Sequence, residues 1–204
     1  MDVWYVSYGS NLCKDRFMCY INGERPPGAD RPEVGCTDKT PPKASGKVEM
    51  PYALYFSKQR SKWGLGGVAF IDHSITKNEP TIGRKYLITD EQFTEVVAQE
   101  NNCDFIDINF QKVMTNGFLS IGDGWYGRIV YLGELNGAPM FTFTTNEPMG
   151  NMEINTPSAA YLSTIAQGVM ELGYKQDEIM DYFLNKKGIK ENFTKETLKE
   201  FLRY

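Results

Sequence analysis

Trp4-Tyr5-Val6-Ser7-Tyr8-Gly9-Ser10-Asn11-Leu12 is an apolar strand that runs into a glycine and two small polar residues able to open a helix. Backbone N–H groups at a helix start have no intrahelical acceptor and carry partial positive charge, so a turn of this type can grip a carboxylate or a polarised carbonyl. Gly9 allows a ligand close to the backbone, and Ser10 or Asn11 can cap the helix that follows. Tyr8, Gly9, Ser10, Asn11 and Leu12 are therefore candidate substrate-binding residues. A Gly-Ser-Asn turn is also ordinary capping chemistry, and that second reading stands beside the first.

The chain around this turn has the composition of a soluble globular protein. Of its 204 residues 41% are hydrophobic and 24% charged, and 22 basic against 26 acidic residues give a net charge of -4. That length fits one domain over residues 1–204. The slight acidic balance and dispersed basic residues argue against a nucleic-acid partner. Lys186 and Lys187 precede Gly188, where cations suit a helix end. No run of about 20 apolar residues and no basic-then-apolar leader occurs, so neither a membrane span nor secretion is expected, and the expected location is cytoplasmic. Cys13, Cys19, Cys36 and Cys103 form no CxxC pair and read as reduced thiols. His73 is the only histidine, so neither a metal nor another cofactor is expected. Oligomeric state is not legible.

Residues 3–8 read as a strand, and Leu12, Arg16, Cys19 and Tyr20 recur at helical spacing after it. Between Gly23 and Gly46 repeated Pro and Gly predict an irregular loop over 23–47, either a binding loop at a cavity mouth or an insertion without chemistry. Strands are predicted over 48–56, 67–71 and 83–88, with His73 in a turn before Lys77-Asn78. Thr89 with Gln92 makes a capping box, and Phe93, Val96 and Val97 mark the buried stripe of the helix it starts. Further strands are predicted over 105–114, 125–132 and 139–145, with Asn136-Gly137 as a hairpin turn. Residues 156–204 form a helical C-terminal extension. Thr156-Pro157 starts its first helix, one more ends near Gly188 and another begins at Thr194. This order does not alternate strand and helix, which favours an α+β fold with a mixed or largely antiparallel sheet.

Glu100 is the acidic residue that stands out. At 100 degrees per residue it projects between Val96 and Val97, over Phe93, whereas Glu91 and Glu95 point away. Dehydration and the helix C-terminus both act against its charge, which suits a proton shuttle working near neutrality. The alternative is a helix-ending carboxylate that bends to water or pairs with a basic neighbour.

Taken together, Tyr8-Gly9-Ser10-Asn11-Leu12 with Arg16 resembles the N-terminal signature of the γ-glutamylcyclotransferase-like family. Trp63 with Gly66-Gly67-Val68-Ala69 resembles its Gly-Gly strand, and Asp90 to Glu100 the helix that ends in its catalytic glutamate. Thr145-Asn146, Pro157-Ser158 and Tyr161 resemble the last strand and the start of the C-terminal helix. The resemblance implies a small mixed β-barrel with flanking helices. It implies cyclisation of a small-molecule γ-glutamyl amide: the substrate's own α-amino group attacks its γ-carbonyl, leaving 5-oxoproline and a free amine or amino acid. Glu100 would carry the proton and Tyr8, Gly9, Ser10, Asn11 and Leu12 would cradle the substrate. Tyr161 would add a hydroxyl to the same cavity or serve as a core tyrosine.

The sequence also departs from that pattern. Asn101 and Asn102 follow Glu100 where relatives carry glycine, Phe105 stands near a position where they carry an aromatic hydroxyl, and Thr142 and Phe143 replace a tyrosine-bearing stretch. Two rival readings follow from the residues: a binding module on the same fold without turnover, and a serine hydrolase using His73 with Ser7 or Ser10. A partner surface on Leu198, Phe201 and Leu202, against packing on the sheet, is a third question.

Overall fold

In a computed structural model, which describes residues 1–27, 29, 31–76 and 78–202, the chain divides into two compact units. The first holds Met1–Ser7, Asp15–Val48 and Arg84–Asn146, and the second Tyr8–Lys14, Glu49–Gly83 and Glu147–Tyr204. Each unit is woven from segments far apart in sequence.

The first unit is organised by β1 (Asp2–Ser7), which is buried on both faces from Val3 onward, as a central strand requires. It pairs antiparallel with β7 (Thr81–Thr89) and parallel with β10 (Ala138–Thr144). With β2 (Ala44–Met50), β8 (Phe118–Ser120) and β9 (Arg128–Leu135) the sheet order is β2-β7-β1-β10-β9-β8. The expected mixed sheet is present. No ladder joins the edge strands β2 and β8 among the described residues, so this pairing does not close a barrel. Asn136 and Gly137, both at positive φ, make the expected tight turn between β9 and β10.

α1 (Lys14–Asn22) and α2 (Asp90–Glu100) cover this sheet. The capping box forms as read, with Gln92 N donating to Thr89 Oγ1 and Thr89 N to Gln92 Oε1, both at 3.1 Å. Phe93, Val96 and Val97 are fully buried, with Tyr5, Phe17, Tyr86, Phe141 and Phe143 in the same cluster. The aromatic rings lock together: Tyr5 stacks on Phe143 at 5.4 Å and Phe17 on Tyr86 at 4.1 Å.

The irregular loop is present from 23 to 43, with Gly28 and Asp30 outside the described residues, but β2 already begins at Ala44. It is docked on both helices. Cys36 N donates to Ile21 O, Gly35 N to Gln99 Oε1, and Thr37 N to Glu95. Gly23 and Gly35 lie side by side at positive φ, and a side chain on Gly35 would meet the Gly23 nitrogen at 2.7 Å.

The second unit contains β3 (Tyr52–Ser57) paired with β6 (Val68–Ile75), the short hairpin β4 (Arg60–Ser61) and β5 (Gly64–Leu65), and three helices. These are α4 (Ala159–Glu171), α5 (Gln176–Leu184) and α6 (Lys195–Leu202). Tyr161, Ile165 and Val169, which recur on one face of α4, are buried. Of the three residues weighed as a partner surface, Leu198 and Leu202 are buried and Phe201 is half-buried, and α6 packs on α4 and α5 rather than on the sheet as expected.

Several expectations are corrected. The span 105–114 is not a strand: Ile106, Ile108 and Phe110 alternate like one, but Asn109 caps α3 (Phe110–Asn116) by accepting from Lys112 N, and Gly117 ends it at φ +80. The span 48–56 is two strands, because Pro51 has no N–H to continue a ladder. The first C-terminal helix is capped by Ser158, not started by Thr156. Leu12 lies outside α1, since Cys13 is extended. His73 sits inside β6 rather than in a turn, and Lys77 is outside the described residues. No helix among the described residues is long and apolar enough to cross a membrane.

Candidate active site

The candidate residues fall in both units. Tyr8, Gly9, Ser10, Asn11, Leu12 and Tyr161 belong to the second, Glu100 to the first.

In the second unit the 8–12 segment is a single 3-10 turn over Ser10–Leu12. Leu12 N donates to Gly9 O at 2.9 Å and Cys13 N to Ser10 O at 3.1 Å, which leaves the first amides of the turn outside its own bonding. The expected side-chain cap is not made: Gly9 occupies the cap position, and Ser10 and Asn11 are inside the turn and buried. A turn this short generates little dipole, so any grip on an anion comes from local N–H groups rather than from a helix.

The turn is braced from behind. Lys14 N donates to Glu171 Oε2 at 3.1 Å. A β-carbon on Gly168 of α4 would stand 2.3 Å from both Cys13 N and the Leu12 carbonyl carbon. Tyr161 approaches from the same helix, its hydroxyl 3.0 Å from where a Gly9 side chain would begin. That hydroxyl accepts from Ala69 N at 3.1 Å, and its ring packs against Trp63 at 5.2 Å. Gly67 N donates to Thr156 O at 2.9 Å, and a β-carbon on Gly67 would stand 2.5 Å from Asn155 O, so the Gly-Gly strand and the start of α4 form one frame for Tyr161.

In the first unit Glu100 ends α2, half-buried. The fully buried Tyr20 hydroxyl donates to its carboxylate. The same hydroxyl accepts from Arg16 Nη2 at 3.2 Å, and Arg16 reaches Glu33 Oε1 at 2.5 Å. Burial pushes the Tyr20 phenol well above its ordinary range, and the Glu100 charge adds to this. Burial alone would lower Arg16, but its surroundings, including the charges of Glu33 and Glu100 and the hydrogen bond to Glu33, outweigh that and hold its pKa up. Asn101 does not take the left-handed geometry; Asn102 does, at φ +52. Asn101 instead donates to Val97 O at 3.0 Å and Tyr126 O at 3.2 Å, and accepts from Tyr126 N at 3.0 Å. Phe105 is 81% exposed and substitutes for nothing packed near the glutamate.

Sequence reasoning missed Tyr20, Glu33 and Gly168. The i to i+4 spacing of Arg16 and Tyr20 was a usable signal for the first; nothing local marks the other two. Among the described residues no group of three or more His, Cys, Asp or Glu could hold a metal ion. A half-buried carboxylate held by a neutral donor can accept and return a proton, and a turn with amides outside its own bonding can receive a developing negative charge.

No family model matches the chain. Over 202 residues, 91% of the chain, it is 35% identical to Histone deacetylase 5 of Arabidopsis thaliana, but it spans only 31% of that protein's length. Among solved structures it is similar to a gamma-glutamyl cyclotransferase, at 16% identity and a TM-score of 0.51, over 89% of this chain and 86% of that one. It is also similar to an uncharacterized protein from Homo sapiens, at 16% identity and a TM-score of 0.52, over 100% of this chain and 99% of that one.

Proposed function

We propose that this chain, which has the fold of a gamma-glutamyl cyclotransferase, cleaves γ-glutamyl amides by cyclisation. The observation that carries the reading is Glu100, half-buried at the end of α2 with the Tyr20 hydroxyl donating to its carboxylate.

The substrate supplies its own nucleophile. Its α-amino nitrogen forms a bond to the γ-carbonyl carbon, the amide C–N bond breaks, and the ring that closes is 5-oxoproline. Glu100 takes a proton from the attacking amine and returns it to the leaving nitrogen, so it ends unchanged. General acid–base help of this type contributes roughly 100- to 10,000-fold in rate. The sequence resemblance assigns substrate binding to Tyr8, Gly9, Ser10, Asn11, Leu12 and Tyr161. Holding the amine against its carbonyl provides the remainder, since intramolecular geometry is worth about 7–11 kcal/mol at best.

The test is a panel of a γ-glutamyl amino acid, glutathione, a γ-glutamylamine and a γ-glutamylated biosynthetic intermediate, with 5-oxoproline measured by mass spectrometry. Release from one member, lost in a folded Glu100→Gln protein, supports the reading. Full turnover by Glu100→Gln removes the assignment of the base.

The partial relationship to a longer protein supports a second reading, a ligand-binding module without turnover. Calorimetry on the same panel separates the two: tight binding with no 5-oxoproline favours the module.

A further inference from the structure

Tyr20 is gripped at both ends by consecutive residues of α2. Gln99 Nε2 donates to the Tyr20 carbonyl at 3.2 Å, and the Tyr20 hydroxyl donates to Glu100. The side chain of Tyr20 is fully buried. Phe17, one turn earlier on α1, is a bare aromatic ring buried in the same core cluster. A buried hydroxyl costs free energy unless bonded, and this one is bonded twice, accepting from Arg16 and donating to Glu100. Arg16 is fixed in turn. Its guanidinium lies 4.5 Å from the Tyr20 ring centre and pairs with Glu33, which the irregular loop supplies. Because burial keeps the phenol protonated, the hydroxyl stays a donor at any working pH.

We propose that Tyr20 is a positioning residue for Glu100: its hydroxyl, steered by Arg16, holds the carboxylate in the single orientation from which it moves protons. A carboxylate on a helix end has free rotation in its last torsions, and a misplacement of about 1 Å costs up to about 100-fold in rate. This inference rests on the cyclotransferase reading, and the experiment separates the two.

Tyr20→Phe, Glu100→Gln and the double variant are assayed on the panel member that the unmodified protein turns over fastest. Circular dichroism confirms that each is folded. Tyr20→Phe is expected to lose roughly 10- to 100-fold in kcat with little change in KM, and the double variant to be no slower than Glu100→Gln alone. An inactive Glu100→Gln beside a fully active Tyr20→Phe overturns the positioning role and leaves the reaction standing. If the unmodified protein releases no 5-oxoproline, the reaction reading fails instead. The hold on Glu100 is then judged by the Tyr20 hydroxyl proton in NMR spectra: a resonance that moves in Glu100→Gln upholds it, and one that does not move overturns it.

Discussion

Gly168 and Cys13 touch backbone to backbone: a β-carbon on the α4 glycine would lie 2.3 Å from the Cys13 nitrogen. No flexible side chain is available to yield, so an added methyl must displace either α4 or the 3-10 turn. Gly168→Ala is expected to lose about 1–3 kcal/mol of stability, the usual cost of overpacking. The displaced turn should raise KM more than it lowers kcat. Urea denaturation and steady-state kinetics check both, and a variant with the parent's denaturation midpoint would show that the contact is not tight.

Tyr161 has a structural duty whatever its role toward substrate. Its hydroxyl is the acceptor for Ala69 N, which sits in the buried first half of β6. Tyr161→Phe leaves that N–H without its acceptor, at a cost of about 1–3 kcal/mol. A hydroxyl that also contacts substrate adds a rise in KM with kcat maintained. If thermal melting of the variant matches the parent, the Ala69 bond contributes nothing.

Asn101 stands where the family pattern has glycine, yet its side chain bridges Val97 and Tyr126. Asn101→Gly restores the expected residue and removes three hydrogen bonds. The backbone at Tyr126 should then open more readily, with faster amide hydrogen exchange there and a stability loss of about 1–2 kcal/mol. Unchanged exchange at Tyr126 would mean that the backbone alone holds this segment.

How much of this was legible depended on whether a residue's job is local. The capping box, the Asn136-Gly137 turn and the buried stripe of α2 are set by neighbours within four positions, so periodicity and turn chemistry found them. The same reading failed at 105–114, where Ile106, Ile108 and Phe110 alternate while Asn109 caps a helix. Glu100 could be singled out because its helical phase is local. Its partner Tyr20 is 80 positions away, and Glu33 reaches Arg16 from an irregular loop. Gly168 looks like an ordinary, mildly unfavourable helix glycine until the 8–12 turn is laid against it. Cys13 turned extended for a similar reason: the packing behind the turn, not propensity, ends the 3-10 segment.

Lys186 was read as a cation suiting a helix end, but only 2% of it is exposed. Its amine donates to Pro80 O at 2.9 Å and lies 4.5 Å from the Tyr182 ring. Burial lowers its pKa from 10.5 to about 8, partly opposed by the charge of Glu79. Between pH 8 and 10.5 the unfolded chain therefore holds a proton that the folded chain has released, so stability rises with pH across that window. Below it both states are protonated, and burying the charge costs on the order of 3 kcal/mol. The stability of the parent relative to Lys186→Met is thus expected to be flat below about pH 7 and to climb from pH 8 to 10 by a few kcal/mol at most. Urea midpoints for the two proteins at each pH give the difference directly, with the other titrating groups cancelling. A difference that stays constant to pH 10 would place the Lys186 amine in water rather than against Pro80.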